Sequence, residues 1–357
     1  MKGQRKRRLS AVLAVTVCMA SVGWALLRVP FGAWVAVGRQ AAQLAVGLRS
    51  PSDSVELWNE ARTSPTTGNT MPVEAFVGEG VTRRVTTTAT VQRQDGAVEV
   101  ITQQMSAGSE FVDGVAVRNK LGKPVDIAAA LAHVPKLSLK KGLTAPQVLI
   151  THTHTTECYA AHDRGFANPS DPTRTDDPTK NMIAVGERVA SELRAAGIGV
   201  IHDTEIHDQP YSGAYGHAKT AIERYLKQYP SIKVVLDLHR DAIYQSDGAH
   251  IKPTATIGGT AAAQIMIIVG MKNTSAVPNT HTAENLAFGV RLQQALHERY
   301  PGIARPLLLA DARYNQQLTN GSLLIEMGSD ANTLEEACYS GTLLGKAAAQ
   351  VLQELGA

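Results

Sequence analysis

From Pro146 onward, short apolar runs alternate with longer segments of helical period. Gln147–Ile150, Ile198–Ile201, Val234–Leu238, Ala263–Val269 and Leu323–Met327 are bounded apolar runs with the length of buried strands. Between them, Asn181–Ala196 places Met182, Val185, Val189 and Leu193 on one helical face, and Gly197 follows its end. Gly216–Gln228, His281–Tyr300 and Thr333–Leu355 also read as helices. The last is opened by Asn332, with Glu335 three residues on. Alternating strands and helices over residues 146–357 predict an α/β domain, a mostly parallel twisted sheet with helices on both faces. Ligands on such sheets gather at the carboxyl ends of the strands.

Upstream the pattern differs. Arg83–Gln104 holds two β-rich runs around Asp95-Gly96, which predicts a hairpin, and Asp126–Val134 predicts a short helix. Residues 81–145 are therefore expected to form a small β-rich accessory region, and residues 29–80, with Pro51, Pro65 and Pro72, a juxtamembrane segment and linker. Residues 1–8 are a basic block carrying Lys2, Arg5, Lys6, Arg7 and Arg8. Residues 9–28 are the expected transmembrane anchor: Leu9–Leu27 carries no charge and approaches the roughly 20 residues a spanning helix needs. The positive flank stays inside, so the remainder should be extracytoplasmic on a single-pass membrane protein. Trp24, Leu26 and Leu27 end the apolar run where a cleaved signal peptide has small residues, which favours a retained anchor. A lipoprotein site at Cys18 is disfavoured by Val17 before it.

Composition changes the picture little. Hydrophobic residues make up 44% but aromatics only 5%, so the core is built from Ala, Val, Leu and Ile. The formal charge of +3 is not gathered into a basic stripe on the globular part, which argues against a nucleic-acid partner. Cys158 and Cys338 do not make a disulfide framework and are read as unpaired thiols.

The ionisable residues cluster at strand ends. His152, His154 and Glu157 of HTHTTE follow the first strand; His239, Arg240 and Asp241 follow VVLDL; Glu326 closes SLLIE. One such residue after one strand is usually structural. Three on parallel strands would meet at one rim. Two imidazoles and a carboxylate form a common catalytic zinc shell, with water in the remaining position. His154, Glu157 and His239 are the expected ligands, with His152 as the alternative ligand or a group behind them. Asp237, two residues before His239, shares its side of the strand and can orient the imidazole. Glu326 suits the proton-transfer role. No HExxH motif is present, which disfavours the common zinc protease class.

HTHTTECY, RTDDPTKNMIAVGERVASEL, VIHDTEIHDQPYSGAYGHA, VVLDLHRDA, RYNQQL and LLIEMGSDANTLEEA together resemble the stage II sporulation protein P family over about Pro146–Leu352. The resemblance implies a membrane-anchored peptidoglycan hydrolase similar to the zinc N-acetylmuramoyl-L-alanine amidases. It implies zinc held by His154 and His239, with Glu326 catalytic. It implies cleavage of the muramoyl–L-alanine amide and of peptide cross-links, and two partners, stage II sporulation proteins D and M, in septal wall thinning during engulfment. One departure concerns the third ligand. The wider amidases carry a glutamate near the helix after the first strand, where this chain has TDDPTKNM with Asp176 and Asp177, so Glu157 takes that place. Cys158 and His217 stand where a small residue and an arginine are usual. Arg174, Arg240, Arg313 and Asn315 lie in the shared motifs, and substrate binding and structural pairing both fit them. Tyr211 and Tyr215 either stack on sugar rings or pack their loop. The competing reading is a wall-binding scaffold whose site has decayed.

Overall fold

The structure, a computed structural model, describes residues 91–357 apart from 107, 109 and 277. The expected basic block, anchor and linker, and the first part of the expected accessory region, lie outside the described residues. In chain order the strands are β1 Val98–Gln103, β2 Glu110–Val112, β3 Val115–Asn119, β4 Val148–Thr151, β5 Phe166–Ala167, β6 Val200–His202, β7 Val234–Asp241, β8 His250–Ile257, β9 Thr260–Ala263, β10 Ile265–Gly270, β11 Leu307–Ala310 and β12 Gly321–Ser329. The helices are α1 Ile127–Ala132, α2 Met182–Ala195, α3 Ala214–Gln228, α4 Thr282–Arg299 and α5 Leu334–Glu354.

Among the described residues the strands make two sheets, ordered β2-β3-β11-β10-β12-β7-β4-β6 and β5-β1-β8-β9. In the larger one, β6, β4, β7 and β12 run parallel. β10 is antiparallel to β12, and β11 and β3 follow β10. Most neighbouring pairs of this sheet are parallel, as expected, but the sheet is mixed: β10, β11 and β3 run against β6, β4, β7 and β12. The cause lies between β7 and β10. No helix crosses over there; β8 and β9 form an antiparallel pair that returns the chain to the rim where β7 ended. Without a crossover, β10 must enter running the other way.

The described part of residues 81–145 joins the two sheets. β1 pairs in parallel with β8, and β3 in parallel with β11, so these strands are built into both sheets. The Asp95-Gly96 turn forms, with Gly96 at φ +77°. Its following strand pairs with β8 and β5, and the run before the turn lies largely outside the described residues.

Local signals place the helices. Asp126 caps α1 and Asn181 caps α2 through side-chain acceptance of backbone N–H groups. For α5 the cap is Thr333, in a capping box with Glu336, one residue later than the sequence pattern suggested. Asn332 instead accepts from Ser329 N at 2.9 Å and donates to Glu336 Oε2 at 2.8 Å.

Strand alternation sorts the core. Val148, Ile150, Leu236, Leu238, Ile267 and Ile325 face one side and pack against α2, α4 and α5. Leu149 and Val235 face the other side and meet α3 through Ile222. On that second side, Met266, Ile268, Ala310 and Leu324 form only a small cluster. Asp237, His239 and Glu326 alternate onto this thinly covered face.

Candidate active site

β7 and β12 are paired in register at their ends, with His239 opposite Glu326. The register shifts between Glu326 and Ser329, and Gly328 there holds φ +76°. A Cβ on Gly328 would come within 2.5 Å of Asn332 Oδ1, so glycine allows the sharp turn just past Glu326. Beyond β4 the chain turns at once, with Glu157 N bonded to His154 O at 3.1 Å, and brings His154 and Glu157 to the same rim.

His239 is buried and sits between two carboxylates. Its Nε2 lies 3.0 Å from Asp237 Oδ1, a charge pair off the axis of a hydrogen bond, and its Nδ1 lies 3.9 Å from Glu157 Oε2. Burial opposes charge on the ring, but Asp237, Glu157 and Glu326 outweigh it and raise His239 to about 9. Asp237 is fixed in turn by Thr153, through the backbone N at 2.8 Å and the hydroxyl at 2.7 Å. His154 packs edge-on to His239, with ring centroids 5.3 Å apart. Burial, with His239 and Arg174 nearby, lowers it to about 3. Glu326 is pushed up to about 8, by burial first and then by Asp241, with Glu157 adding to the shift and His239 opposing it. The Nδ1 of His154 and the Oε2 of Glu326 are buried without a hydrogen-bond partner, a costly state for polar atoms.

The remaining expected residues divide. His152 is fully buried and turned away; its ring nitrogens meet Leu238 O at 3.0 Å and His202 Nε2 at 2.9 Å. Arg174 pairs with Asp208, reaches Glu157 Oε1 at 3.4 Å and lies over the Tyr211 ring at 4.7 Å. Arg240 is buried, and its guanidinium serves the carbonyls of Cys158 at 3.0 Å and Thr173 at 2.6 Å. Its backbone N holds Glu157 Oε2 at 3.2 Å. Both arginines thereby position Glu157. Arg313 donates to Thr274 Oγ1 at 2.9 Å, and Asn315 donates to Tyr215 O at 2.9 Å. Cys158 and Cys338 are free thiols.

Among the neighbours, Asp241, Tyr211 and Tyr215 were named from the sequence, whereas Tyr314 and Asp208 were not. Tyr314 lies 5.9 Å from Tyr215, and burial together with Glu326 lifts it to about 12. Asp208 anchors Arg174 and accepts the Thr156 hydroxyl at 2.7 Å. Asp241 pairs with the buried Arg305 at 2.9 Å. Tyr211 stacks on His154 at 4.8 Å, and Tyr215 lies nearly parallel to His239 at 6.3 Å. The only available signal for Tyr314 and Asp208 was their presence in polar motifs after strands, which does not distinguish them from other loop residues.

Among the described residues, no group of three His, Cys, Asp or Glu side chains is arranged to hold a metal ion as it stands. The family model of stage II sporulation protein P (SpoIIP) matches residues 80–349. The chain belongs to this family. A SpoIIP relative, stage II sporulation protein P of Bacillus subtilis (strain 168), is 28% identical over 220 residues, covering 58% of this chain and 50% of the relative. This SpoIIP-family chain thus spans about half the length of the curated relative it matches. Among solved structures it is similar to the CwlD amidase from Clostridioides difficile in complex with the GerS lipoprotein, at 14% identity and TM-score 0.37, covering 58% of this chain and 98% of that one. It is also similar to the N-acetylmuramoyl-L-alanine amidase AmiC2 of Nostoc punctiforme, at 10% identity and TM-score 0.35, covering 60% and 97%. Likenesses this low carry no weight on activity.

Proposed function

We propose that this chain is a zinc-dependent peptidoglycan hydrolase, an N-acetylmuramoyl-L-alanine amidase that also opens peptide cross-links. The observation that carries the reading is the meeting of His154, Glu157, His239 and Glu326 at one rim, where His154 Nδ1, His239 Nε2 and Glu326 Oε2 are buried without hydrogen-bond partners. His154, Glu157 and His239 would hold the ion; an imidazole kept neutral, a carboxylate and a second imidazole are a suitable donor set. Zinc in such a shell lowers the pKa of a coordinated water toward about 7 and polarises an amide carbonyl.

The rest falls to the protein. Asp237 orients His239 and is itself held by Thr153. Arg174 and the Arg240 backbone fix the Glu157 carboxylate. Glu326, whose burial strengthens its hold on a proton, takes one from the attacking water and passes it to the leaving amine. Tyr211, exposed and stacked on His154, offers an aromatic face beside the cluster. Arg313 and Asn315 are read as contacts to the glycan or stem peptide. Arg174 shares that role, while the donors of Arg240 are directed to the main chain.

The wider reading is an enzyme anchored by residues 9–28, acting between the septal membranes in wall thinning and engulfment with stage II sporulation proteins D and M. The test is mass analysis of muropeptides after incubating the full chain with sacculi, with zinc and with a chelator. Stem peptides freed from sugar only when metal is present support the amidase, and cross-linked dimers falling to monomers support the endopeptidase. No product in either condition, even after glycan strands are cut by a lytic transglycosylase, overturns the hydrolase and leaves a wall-binding scaffold.

A further inference from the structure

A cavity of about 380 Å³ opens between β1, β5 and the segments around 160–173 and 330. Val98, Val100, Phe166 and Ala331 give it a largely apolar wall. Asp330 is set in that wall with its side chain only 4% exposed. Its Oδ2 accepts the Tyr244 hydroxyl at 2.9 Å and lies 3.5 Å from His250 Nδ1. Its Oδ1 is buried without a hydrogen-bond partner.

The other charges in the wall are matched locally. Arg164 pairs with Asp171 and gives its Nε to Phe166 O. Asp163 pairs with Lys252, which also holds Glu336. The nearby Arg240 spends its guanidinium on carbonyls. Asp330 therefore keeps an acceptor that none of these cations serves, in surroundings where an unmet carboxylate oxygen is costly. A charged N–H donor on an aliphatic stem answers both features, its head on the carboxylate and its stem along the apolar wall. Among the described residues β5 stands at the edge of the smaller sheet, where an extended chain can pair.

The geometry points to this cavity as a binding subsite for a primary ammonium group carried by a short peptide, with Asp330 as its anchor. The subsite uses none of His154, Glu157, His239 or Glu326, and it goes beyond the hydrolytic reading. Its test reads binding alone, so the two proposals fall separately.

The full chain is titrated calorimetrically with acetyl-Ala-Lys-Ala-amide and with the same peptide acetylated at the lysine Nε. The lysine peptide binds, and acetylation weakens it by about tenfold or more. Asp330→Asn lowers affinity for the lysine peptide by a similar factor and makes the two peptides equivalent, with the thermal melt reporting that the variant folds. Ala167→Leu adds bulk to the lining without touching the carboxylate, and weakens both peptides. Equal binding of both peptides to the unaltered chain, unchanged affinity in Asp330→Asn, or no binding of the lysine peptide would each overturn the assignment.

Discussion

The two faces of the larger sheet are made by the same strands, yet they carry different chemistry. One face buries Ile150, Leu238, Ile267 and Ile325 beneath α2, α4 and α5. The other holds Asp237, His239 and Glu326, with α3 covering one end and a small apolar cluster at the other. Helix cover on the first face supplies the burial that stabilises the fold. The second face can then leave polar atoms without partners at the strand ends, a cost that only a well-packed opposite face sustains. Pattern period 2 separates the two functions within single strands: Leu238 belongs to the core and His239 to the site.

The largest expected effect lies on the polar face. Glu326→Gln should lower release of stem peptides by about 10²–10⁴-fold, the range for loss of a positioned acid/base, while zinc content by atomic emission stays unchanged. Normal turnover in that variant would remove Glu326 from the mechanism and the chemical contrast between the faces with it.

Next comes a direct comparison on β10. Ile267 faces the main core and Ile268 the small cluster, both almost fully buried. Ile267→Ala should fall near the top of the about 2–5 kcal/mol range for such truncations, and Ile268→Ala near the bottom, where neighbours relax more easily. Equal shifts in urea midpoint would show that the two faces share the stabilising load.

Thr333→Ala removes the cap of α5, which packs on the covered face, and should cost about 1 kcal/mol in the same urea series. A loss below a few tenths would mean that Glu336 and Asn332 hold the helix start unaided.

The smallest effect is a pH dependence on the polar side. Burial opposes charge on both Asp203 and His207, yet their contact at 2.8 Å lowers the carboxyl and raises the imidazole. Glu205 and Asp237 add to the rise at His207, and Thr151 and the Glu205 N–H help lower Asp203. A lowered carboxyl stabilises above its unfolded pKa and loses that as pH falls through its folded pKa. A raised imidazole stabilises below about 6.5 and loses that as pH rises through its folded pKa. The pair should contribute most between roughly pH 4 and 6.5. His207→Gln should therefore lower the melting temperature most within that window and flatten its fall on either side; an unchanged profile would mean the pair contributes nothing to stability.

Much of this was legible in the chain itself. The strands 147–150, 234–238 and 323–327 and the helices opening at Asn181, Gly216 and His281 were readable from periodicity, and each is present within a few residues. The expected hairpin partner of β1 lies largely outside the described residues, while the pairing of β1 with β8, well over a hundred residues away, left no local signal. The direction of β10 was not legible because strand periodicity is the same in either direction. The sequence favoured His154 as a ligand and kept His152 as the alternative or a group behind it. Only packing separates them, since one ring is enclosed against Leu238 and His202 while the other meets His239. For Arg240 the sequence left substrate binding and structural pairing both open, because a guanidinium suits either carboxylate partner. In the fold its donors close the main chain around Glu157.

The sequence by itself determined the alternation of core and polar positions, the capped helices and the placing of histidines and carboxylates at strand ends, because period and cap chemistry are properties of neighbours along the chain. Tertiary structure alone decided which strands oppose, which of two histidines turns to the rim, how Arg174 and Arg240 aim Glu157, and where Asp330 meets an apolar cavity. Each of those depends on groups far apart in sequence, and their distances are set only when the two sheets and their helices pack.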